Sequence, residues 1–590
     1  MFDTIQNRTK KAVEAVSLVL KSNSNFECLC KEEVDARKNN YLAGWRTVNK
    51  VEGIGCELEL YLPSFFPDSP PEIYISSNPE KWFCKTPHVE PNGKICIIAE
   101  SAAIDSDAPI DLVRECLKGA VDILTIASED EFRDEALVYW GLQAKGYRAY
   151  CCASISDLGS KCVIVKSGND LIIAENDHSA EEWYRNWKGS KVIFDLYAPC
   201  IVVRCQEVFV PSNYPESCLD VRVLIERYAP DVLAEFDEYI CRGTRLFGVV
   251  FLQSSKEGSI LAGIVSYGQN LDCKKEFIKG FRKEKAPTSL LINLARNYLN
   301  KQQVKRLRIT RADSHWVHSR GGTGLDLVDK TITLIGCGSL GGYVGHLLAR
   351  AGIGHLRLLD NDKLGWENVG RHLLGATKVG RSKSESLAEK LTQELPHLDV
   401  SSFNGDWREW IQTVEGKNSF LSSDIIISTV ADWRCERPLN LTIKELGKNS
   451  IFAWLEPYGL AAHVLACGPQ GGCLECGMDS LGNFQSRVFD FELGTLRKEP
   501  GGCAYYQEYG PTKIFPLASL IVDTAIHRLI DENGSSMLYT ILGDLTSVDK
   551  YGGNLRKEYS DYVTENNSRI IEKKWLKNPC CACCQPKNYG

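Results

Sequence analysis

The 590-residue chain has no run of about 18 consecutive apolar residues, so no segment reads as a membrane span. Nor does it have a basic excess: 69 Lys and Arg stand against 76 Asp and Glu, a formal charge of −7. A surface for the nucleic-acid backbone needs net positive charge, so nucleic acid is excluded as a main partner. The opening stretch MFDTIQNRTKKAVEAVSLVLKSNS lacks a small-residue cleavage site after its short apolar segment. It reads as an amphipathic first helix rather than a signal peptide, and a cytoplasmic location is expected. No internal repeat is evident. What the chain does have is cysteine, 24 in all. In a reducing compartment these are core residues, metal ligands or nucleophiles rather than disulfides. Cys151, Cys152, Cys200 and Cys205 lie in apolar runs and read as buried thiols.

A chain of this length divides into domains, and the order of its patterns predicts a multidomain α/β protein in three parts. Residues 1–146 give a helix near 10–21, strand-like runs near 41–49 and 54–62, and the proline-rich LPSFFPDSPPEIYI ending in a strand. Helical patterns near 109–126 and 129–145 follow, which makes an α+β unit. Residues 147–305 alternate strand-like runs (KCVIVKS, DLIIAEN, KVIFDLYAPCIVVRC, TRLFGVVFLQ, SILAGIVSYG) with helical patches near 219–237 and 288–300. This middle α/β domain carries no catalytic constellation and is expected to be structural or docking. Residues 306–590 turn to strand–helix alternation with short buried strands (TITLIG, HLRLLDND, DIIISTV, IFAWLEP), the pattern of a Rossmann-like, parallel-rich sheet covered on both faces.

Gly336-Cys337-Gly338-Ser339-Leu340-Gly341 is a GxGxxG turn between a strand and a helix. Its glycines let a phosphate approach the backbone, and the helix start supplies amide donors and a favourable dipole. Asp360 ends the next strand, where a ribose hydroxyl is held. To this point a dinucleotide dehydrogenase would look the same. Further on come Asp362, Asn368, Arg371, Lys383 and Asp432. Acids, an amide and two cations suit a triphosphate with its Mg2+, because attack on an α-phosphate needs cations that hydride transfer does not. Order and spacing resemble the ThiF-type adenylation domain shared by ubiquitin-activating enzymes and bacterial sulfur-carrier relatives: GxGxxG, D-x-D, N-x-x-R, a lysine a dozen residues later, and an aspartate after the fourth strand. His372 stands where that family commonly has glutamine. The resemblance implies ATP and Mg2+ as cofactors. It also likens Arg311 to the arginine that a neighbouring subunit contributes, which implies a homodimer with shared sites.

Cys473 and Cys476 form one CxxC pair, and the terminal NPCCACC supplies a second. Four thiolates so spaced make a closed structural Zn2+ site. At the terminus Cys580 with Cys583 and Cys581 with Cys584 have equal spacing. The first register is preferred, because proline followed by Cys-x-x-Cys is usual in the resembled family.

Two cysteines are candidate nucleophiles. Cys503 lies in a glycine-rich loop before a proline and a helix, where activating enzymes often carry their thioester cysteine; a tyrosine-rich insertion follows it here. A helix start would lower the pKa of a nearby thiol. Cys96 follows FPDSPPEIYI and TPHVEPNGKICII, which resemble ubiquitin-conjugating enzymes at Pro67, Pro70, Pro71, Gly93, Ile95 and Cys96. Thr86-Pro87-His88 replaces their His-Pro-Asn, so the resemblance sets His88 where an asparagine stabilises the oxyanion. A histidine can donate the same hydrogen bond.

A conjugating module before an activating module resembles the fused enzymes of bacterial CBASS anti-phage operons. That resemblance implies a protein substrate with a free C-terminus, a cGAS-like nucleotidyltransferase or a ubiquitin-like protein. The substrate would be adenylated, passed through Cys503 and Cys96, and joined to an amine-bearing target. The competing reading is a sulfur-carrier adenylyltransferase with a non-catalytic N-terminal binding module.

Overall fold

The computed structural model describes residues 2–37, 39–51, 55–83, 85–98, 102–126, 131–132, 135–144, 146, 148–255, 258–282, 285–319, 321, 323, 325–491, 497–498, 505–506, 508–531, 534–566 and 569–584. They fall into two compact units: Met1–Cys151, Ile155–Asp177 and Phe194–Thr310 form the first, and Cys152–Ser154, His178–Ile193 and Arg311–Gly590 the second. Among the described residues no helix is long and apolar enough to cross a membrane.

The first unit opens with a helix, Phe2–Ser22, that buries Ala12, Val16 and Leu20 at four-residue spacing. An antiparallel sheet follows: β1 (Phe26–Cys28), β2 (Ala43–Thr47), β3 (Leu58–Leu62), β4 (Glu72–Ile75) and β5 (Lys94–Ile95), in sequence order. The helix Pro109–Ile126, with proline tolerated in its first turn, turns Leu112, Val113, Cys116 and Ala120 into the same core as Trp45, Leu60 and Ile73. This is the α+β arrangement expected for the N-terminal part. The second expected helix runs over Ala136–Gln143.

The middle segment closes on itself. Strands β6 (Arg148–Cys151), β7 (Lys161–Ser167), β8 (Asp170–Ala174), β9 (Leu196–Cys205), β10 (Phe247–Ser255), β11 (Gly258–Ser266) and β12 (Lys305–Arg311) form a barrel in the order β10-β11-β12-β6-β8-β7-β9. The barrel corrects the expected boundary at 305/306, because β12 crosses it: buried Leu307 pairs with Gly263 of β11. Helices Cys218–Tyr228, Leu233–Cys241 and Thr288–Asn300 cover one side, burying Val221, Ile225, Phe236, Ile240, Leu291 and Leu299. His178–Ile193, also assigned to the middle domain from sequence, groups with the second unit.

The second unit is built on an eight-stranded sheet. Its strands are β13 (Thr331–Ile335), β14 (His355–Asp360), β15 (Asp399–Asn404), β16 (Ile425–Ser428), β17 (Asn449–Leu455), β18 (Ala461–Cys467), β19 (Met537–Leu542) and β20 (Ile570–Lys574). The order is β15-β14-β13-β16-β17-β18-β19-β20; the first five strands are mutually parallel and the last three pairings antiparallel. The sheet is therefore mixed, with its parallel half holding the Rossmann-like turn. The helix Ser339–Ala351 and the helix Pro511–Ile530 pack on it, burying Val344, Leu348, Ile514, Leu517 and Ile521 with β13 and β17. This packing demands glycine at 341: a Cβ there would lie 1.8 Å from the Gly336 carbonyl oxygen, a backbone atom that cannot rotate away. Gly341→Ala should therefore destabilise the second unit by about 3 kcal/mol, the upper range for overpacking. Calorimetry should show its transition moved to lower temperature.

Candidate functional sites

The parallel strands β14, β13 and β16 end at one cavity of about 740 Å³, lined by Gly336, Gly338, Asp360, Asp362, Lys383, Thr429 and Asp432 among others. A cavity at the carboxyl ends of parallel strands is where such sheets take ligands. Gly336 has φ +91°, a left-handed conformation that glycine adopts without strain. Gly338 caps the helix Ser339–Ala351, and nothing lies within 4 Å of where its Cβ would be, so the backbone there can be approached closely. Asp360 accepts the Cys337 N–H at 2.6 Å on one oxygen and the Asp362 N–H at 2.7 Å on the other. Burial nonetheless raises its pKa above the usual carboxylate range. Lys383, nearly buried at the start of the helix Lys383–Glu394, reaches Asp362 at 3.0 Å. Asp432 caps the helix Trp433–Glu445, and its pair with Arg434 holds its pKa down.

His372, the departure from the family pattern, is buried. Its Nδ1 accepts the Leu374 N–H at 3.0 Å, which leaves the ring proton on Nε2 to be donated to the Cys337 carbonyl at 2.8 Å. The buried imidazole thus braces the glycine turn through the Cys337 carbonyl. Of the other expected residues, Gly341 serves the helix–strand contact and Asn368 caps a short turn by accepting the Gly365 N–H at 3.1 Å. The Arg371 guanidinium lies 5.1 Å from the Tyr509 ring centre. Arg311 is held by Asp313 through two contacts of 2.8 and 2.9 Å. Neither arginine is among the residues that line the cavity.

Sequence reasoning missed several residues here. Asp406, Arg408 and Arg434 line the cavity, and the signal was an Asp-Trp-Arg tripeptide that occurs at 406–408 and again at 432–434. Glu436, behind the cavity, accepts the Ser428 hydroxyl at 2.5 Å and the Ala431 N–H at 3.3 Å, and Ala431 is left-handed at φ +56°. The buried carboxyl thus fixes the bend that presents Asp432.

In the first unit Cys96 follows β5, and its N–H donates to the His88 carbonyl at 2.8 Å. His88 is left-handed, φ +61°, a conformation in which asparagine and histidine are enriched. Its Nδ1 faces Glu135 at 3.1 Å and its Nε2 faces Glu131 at 3.5 Å. The Cys96 thiol donates to Glu90 at 3.5 Å. By area the residue is exposed, yet neighbouring protein atoms disfavour the thiolate and, with Glu90, push the thiol up to about 11. Cys96 and His88 share a cavity of about 770 Å³ with Ile97, Lys118, Asp122, Glu131 and Glu135. Cys503 lies outside the described residues.

The structure corrects the cysteine register. Among the described residues, the group able to hold a metal ion is Cys473, Cys476, Cys581 and Cys584, not Cys580 with Cys583. Sulfur separations are 3.9 Å (473–476), 3.7 Å (473–581) and 3.6 Å (476–584). Thiolates about 2.3 Å from a tetrahedral ion stand about 3.8 Å apart, so the donor set fits. Cys580 is exposed with its N–H turned to Asn578, whereas Cys581 is buried; the Cys583 sulfur accepts from Asn440 at 3.3 Å.

Residues 25–149 match the Prokaryotic E2 family B, and residues 320–558 match the ThiF family. The chain thus carries a prokaryotic E2 domain followed by a ThiF domain on a single polypeptide. Several similar proteins are named ATP-dependent ubiquitin transferase-like protein Cap2. The one from Pseudomonas aeruginosa (strain BWHPSA011 / Pa011) is 24% identical over 373 residues, 60% of this chain and 65% of its own length. The one from Escherichia coli (strain TW11681) is 45% identical over 101 residues, 16% of this chain and 17% of its own. The match to the first thus spans just under two thirds of that relative. Ubiquitin-like modifier-activating enzyme 5 of Drosophila grimshawi is 26% identical over 231 residues, 37% of this chain and 55% of its own. A crystal structure of E. coli MccB is 16% identical, covering 57% of this chain and 95% of that one, with a TM-score of 0.32.

The Glu436 carboxyl is pushed up to about 7 by burial from an ordinary 4.5. The native state therefore holds this proton more tightly than the unfolded chain, and stability falls as pH rises between those values, by about 3 kcal/mol. Glu436→Gln, which keeps the accepting oxygen, should remove that slope and be more stable than wild type at pH 8. Urea unfolding at pH 5, 6, 7 and 8 checks this; parallel slopes would refute it.

Proposed function

We propose that this chain activates the C-terminal carboxylate of a protein with MgATP, carries the acyl group on Cys503 and then Cys96, and joins it to an amine on a target. The supporting observation is that two cavities occur on one chain. One lies at the glycine turn of a ThiF domain, the other at the cysteine of an E2 domain. ATP would bind with its phosphates at Gly336–Gly341, its ribose at Asp360, and Asp362, Asn368, Arg371, Lys383 and Asp432 around the phosphates and their Mg2+. The substrate carboxylate attacks the α-phosphorus and pyrophosphate leaves. The Cys503 sulfur then attacks the acyl-adenylate and AMP leaves. Cys96 attacks that thioester and releases the Cys503 thiolate. Finally an amine attacks, the Cys96 thiolate leaves, and the amine's proton passes to a neighbouring base. Cys96 rests as the protonated thiol, so it must lose its proton as it reacts. His88, facing the same cavity, is the donor to the oxyanion of each tetrahedral intermediate at Cys96.

A cGAS-like nucleotidyltransferase in anti-phage defence is the proposed substrate, with a ubiquitin-like protein as the other candidate. This follows from the fused order of modules and from the Cap2 relatives. A homodimer with Arg311 shared between copies follows from the family resemblance. One observation favours the rival in which the N-terminal module only binds: a thiol held protonated beside Glu90 is also what an unreactive cysteine shows.

The deciding experiment incubates full-length protein with MgATP and the nucleotidyltransferase, with wild type, Cys96→Ala and Cys503→Ala run on a non-reducing gel. A thiol-sensitive adduct that survives in Cys96→Ala and vanishes in Cys503→Ala is expected. ATP–pyrophosphate exchange without any adduct would leave an adenylyltransferase and remove both cysteines from the mechanism.

We further propose that Cys473, Cys476, Cys581 and Cys584 hold a structural Zn2+ that fixes the chain and takes no part in the chemistry. Metal content per chain should stay near one in Cys580→Ser and drop severalfold in Cys581→Ser. The reverse pattern would restore the first register.

A further inference from the structure

The tripeptide Asp-Trp-Arg follows β15 and occurs again just after β16, and both copies have the same geometry. Asp406 accepts the Arg408 N–H at 2.8 Å and grips its guanidinium at 2.8 Å (Nε) and 2.6 Å (Nη2). Asp432 accepts the Arg434 N–H at 2.9 Å and grips that guanidinium at 3.3 Å (Nε) and 3.1 Å (Nη2). The tryptophans between them are the anchors: Trp407 is buried in the core, and Trp433 packs against the same cluster. All four charged side chains line the 740 Å³ cavity, and the arginines remain 54% and 89% exposed.

A two-point carboxylate contact fixes a guanidinium in the plane of its partner and leaves its faces uncovered. It also offsets the positive charge, as Asp362 does for Lys383, but a guanidinium in addition offers a plane. An oriented flat guanidinium suits a flat aromatic ring, which stacks on its open face. The end of β15 lies next to that of β14, with the Gly405 N–H donating to the Asp360 carbonyl at 3.2 Å. Arg408 therefore starts from the strand end beside the ribose position and lines the same cavity as Asp360, where the base of a nucleotide would extend.

We propose that Arg408 is the base-holding residue of this site, stacking its carboxylate-locked guanidinium plane on the purine of the nucleoside triphosphate, whereas Arg434 is bound to the Asp432 already placed at the phosphates. The inference rests on the ATP reading given above and adds what holds the base. Stacking by area favours purines over pyrimidines, so CTP should bind about tenfold more weakly than ATP.

The test measures calorimetric affinities of full-length protein for MgATP and for Mg-tripolyphosphate, which has no base. Arg408→Ala should weaken ATP binding about tenfold, and so should Arg408→Lys, which keeps charge and loses the plane. Tripolyphosphate should bind both variants as it binds wild type, which also shows that the site is folded. The inference fails if ATP affinity is unchanged in Arg408→Ala or if lysine restores it. It also fails if tripolyphosphate weakens by the same factor. If wild type binds tripolyphosphate but shows no gain for ATP, the adenylation reading falls with it. If wild type binds ATP and only the variant pattern fails, the base-holding role alone is wrong.

Discussion

The Asp360 carboxylate takes the Cys337 amide on one oxygen and the Asp362 amide on the other, tying the end of β14 to the turn that follows β13. Cys337 is gripped elsewhere too: its carbonyl accepts from His372, and its sulfur is buried against the Leu359 carbonyl. With that residue immobilised, the turn can run straight into the helix Ser339–Ala351, and the missing Cβ of Gly341 lets the helix press on the turn. The shape of the cavity and the open approach to the backbone at Gly338 follow from this clasp.

The two candidate sites treat ionisation in opposite ways. Around the glycine turn, charges come in pairs: Lys383 with Asp362, Arg408 with Asp406, Arg434 with Asp432. Around Cys96 they do not balance, since Glu90, Asp122, Glu131 and Glu135 surround the sulfur and its cavity, with Lys118 the cation among the lining residues. Burial and, after it, Glu90 keep the thiol protonated. Under the proposed function, such an acidic mouth would also attract a cationic amine.

How much of this was legible in the sequence depended on the range of the interaction responsible. The buried strands β13, β14, β16 and β17 and the helices over 109–126 and 288–300 are local patterns, and periodicity found them. The glycine turn and Asp360 stood out by their fixed offsets in the sequence, and Gly336, Gly338 and Asp360 line one cavity. Closure of the barrel was not, because β6 with β8 and β9 with β10 are non-local parallel pairings that leave no mark on either strand alone. The cysteine register failed for a different reason. Cys580 and Cys581 have identical spacing to a second cysteine, and only burial of one and exposure of the other separates them. Arg408 went unseen because an Asp-Trp-Arg after a strand is unremarkable until it occurs twice.

The four-thiol cluster joins points of the chain 108 positions apart. Between them lie Cys503, the helix Pro511–Ile530 and both final strands of the large sheet. A bound ion would make this stretch a closed ring, even when every hydrogen bond in it is broken. Fastening a loop that long removes about 5 kcal/mol of disorder from the unfolded ensemble. The cluster therefore works as a hasp on the whole excursion: releasing it would free the segment that carries the proposed acyl-bearing cysteine before any strand need separate.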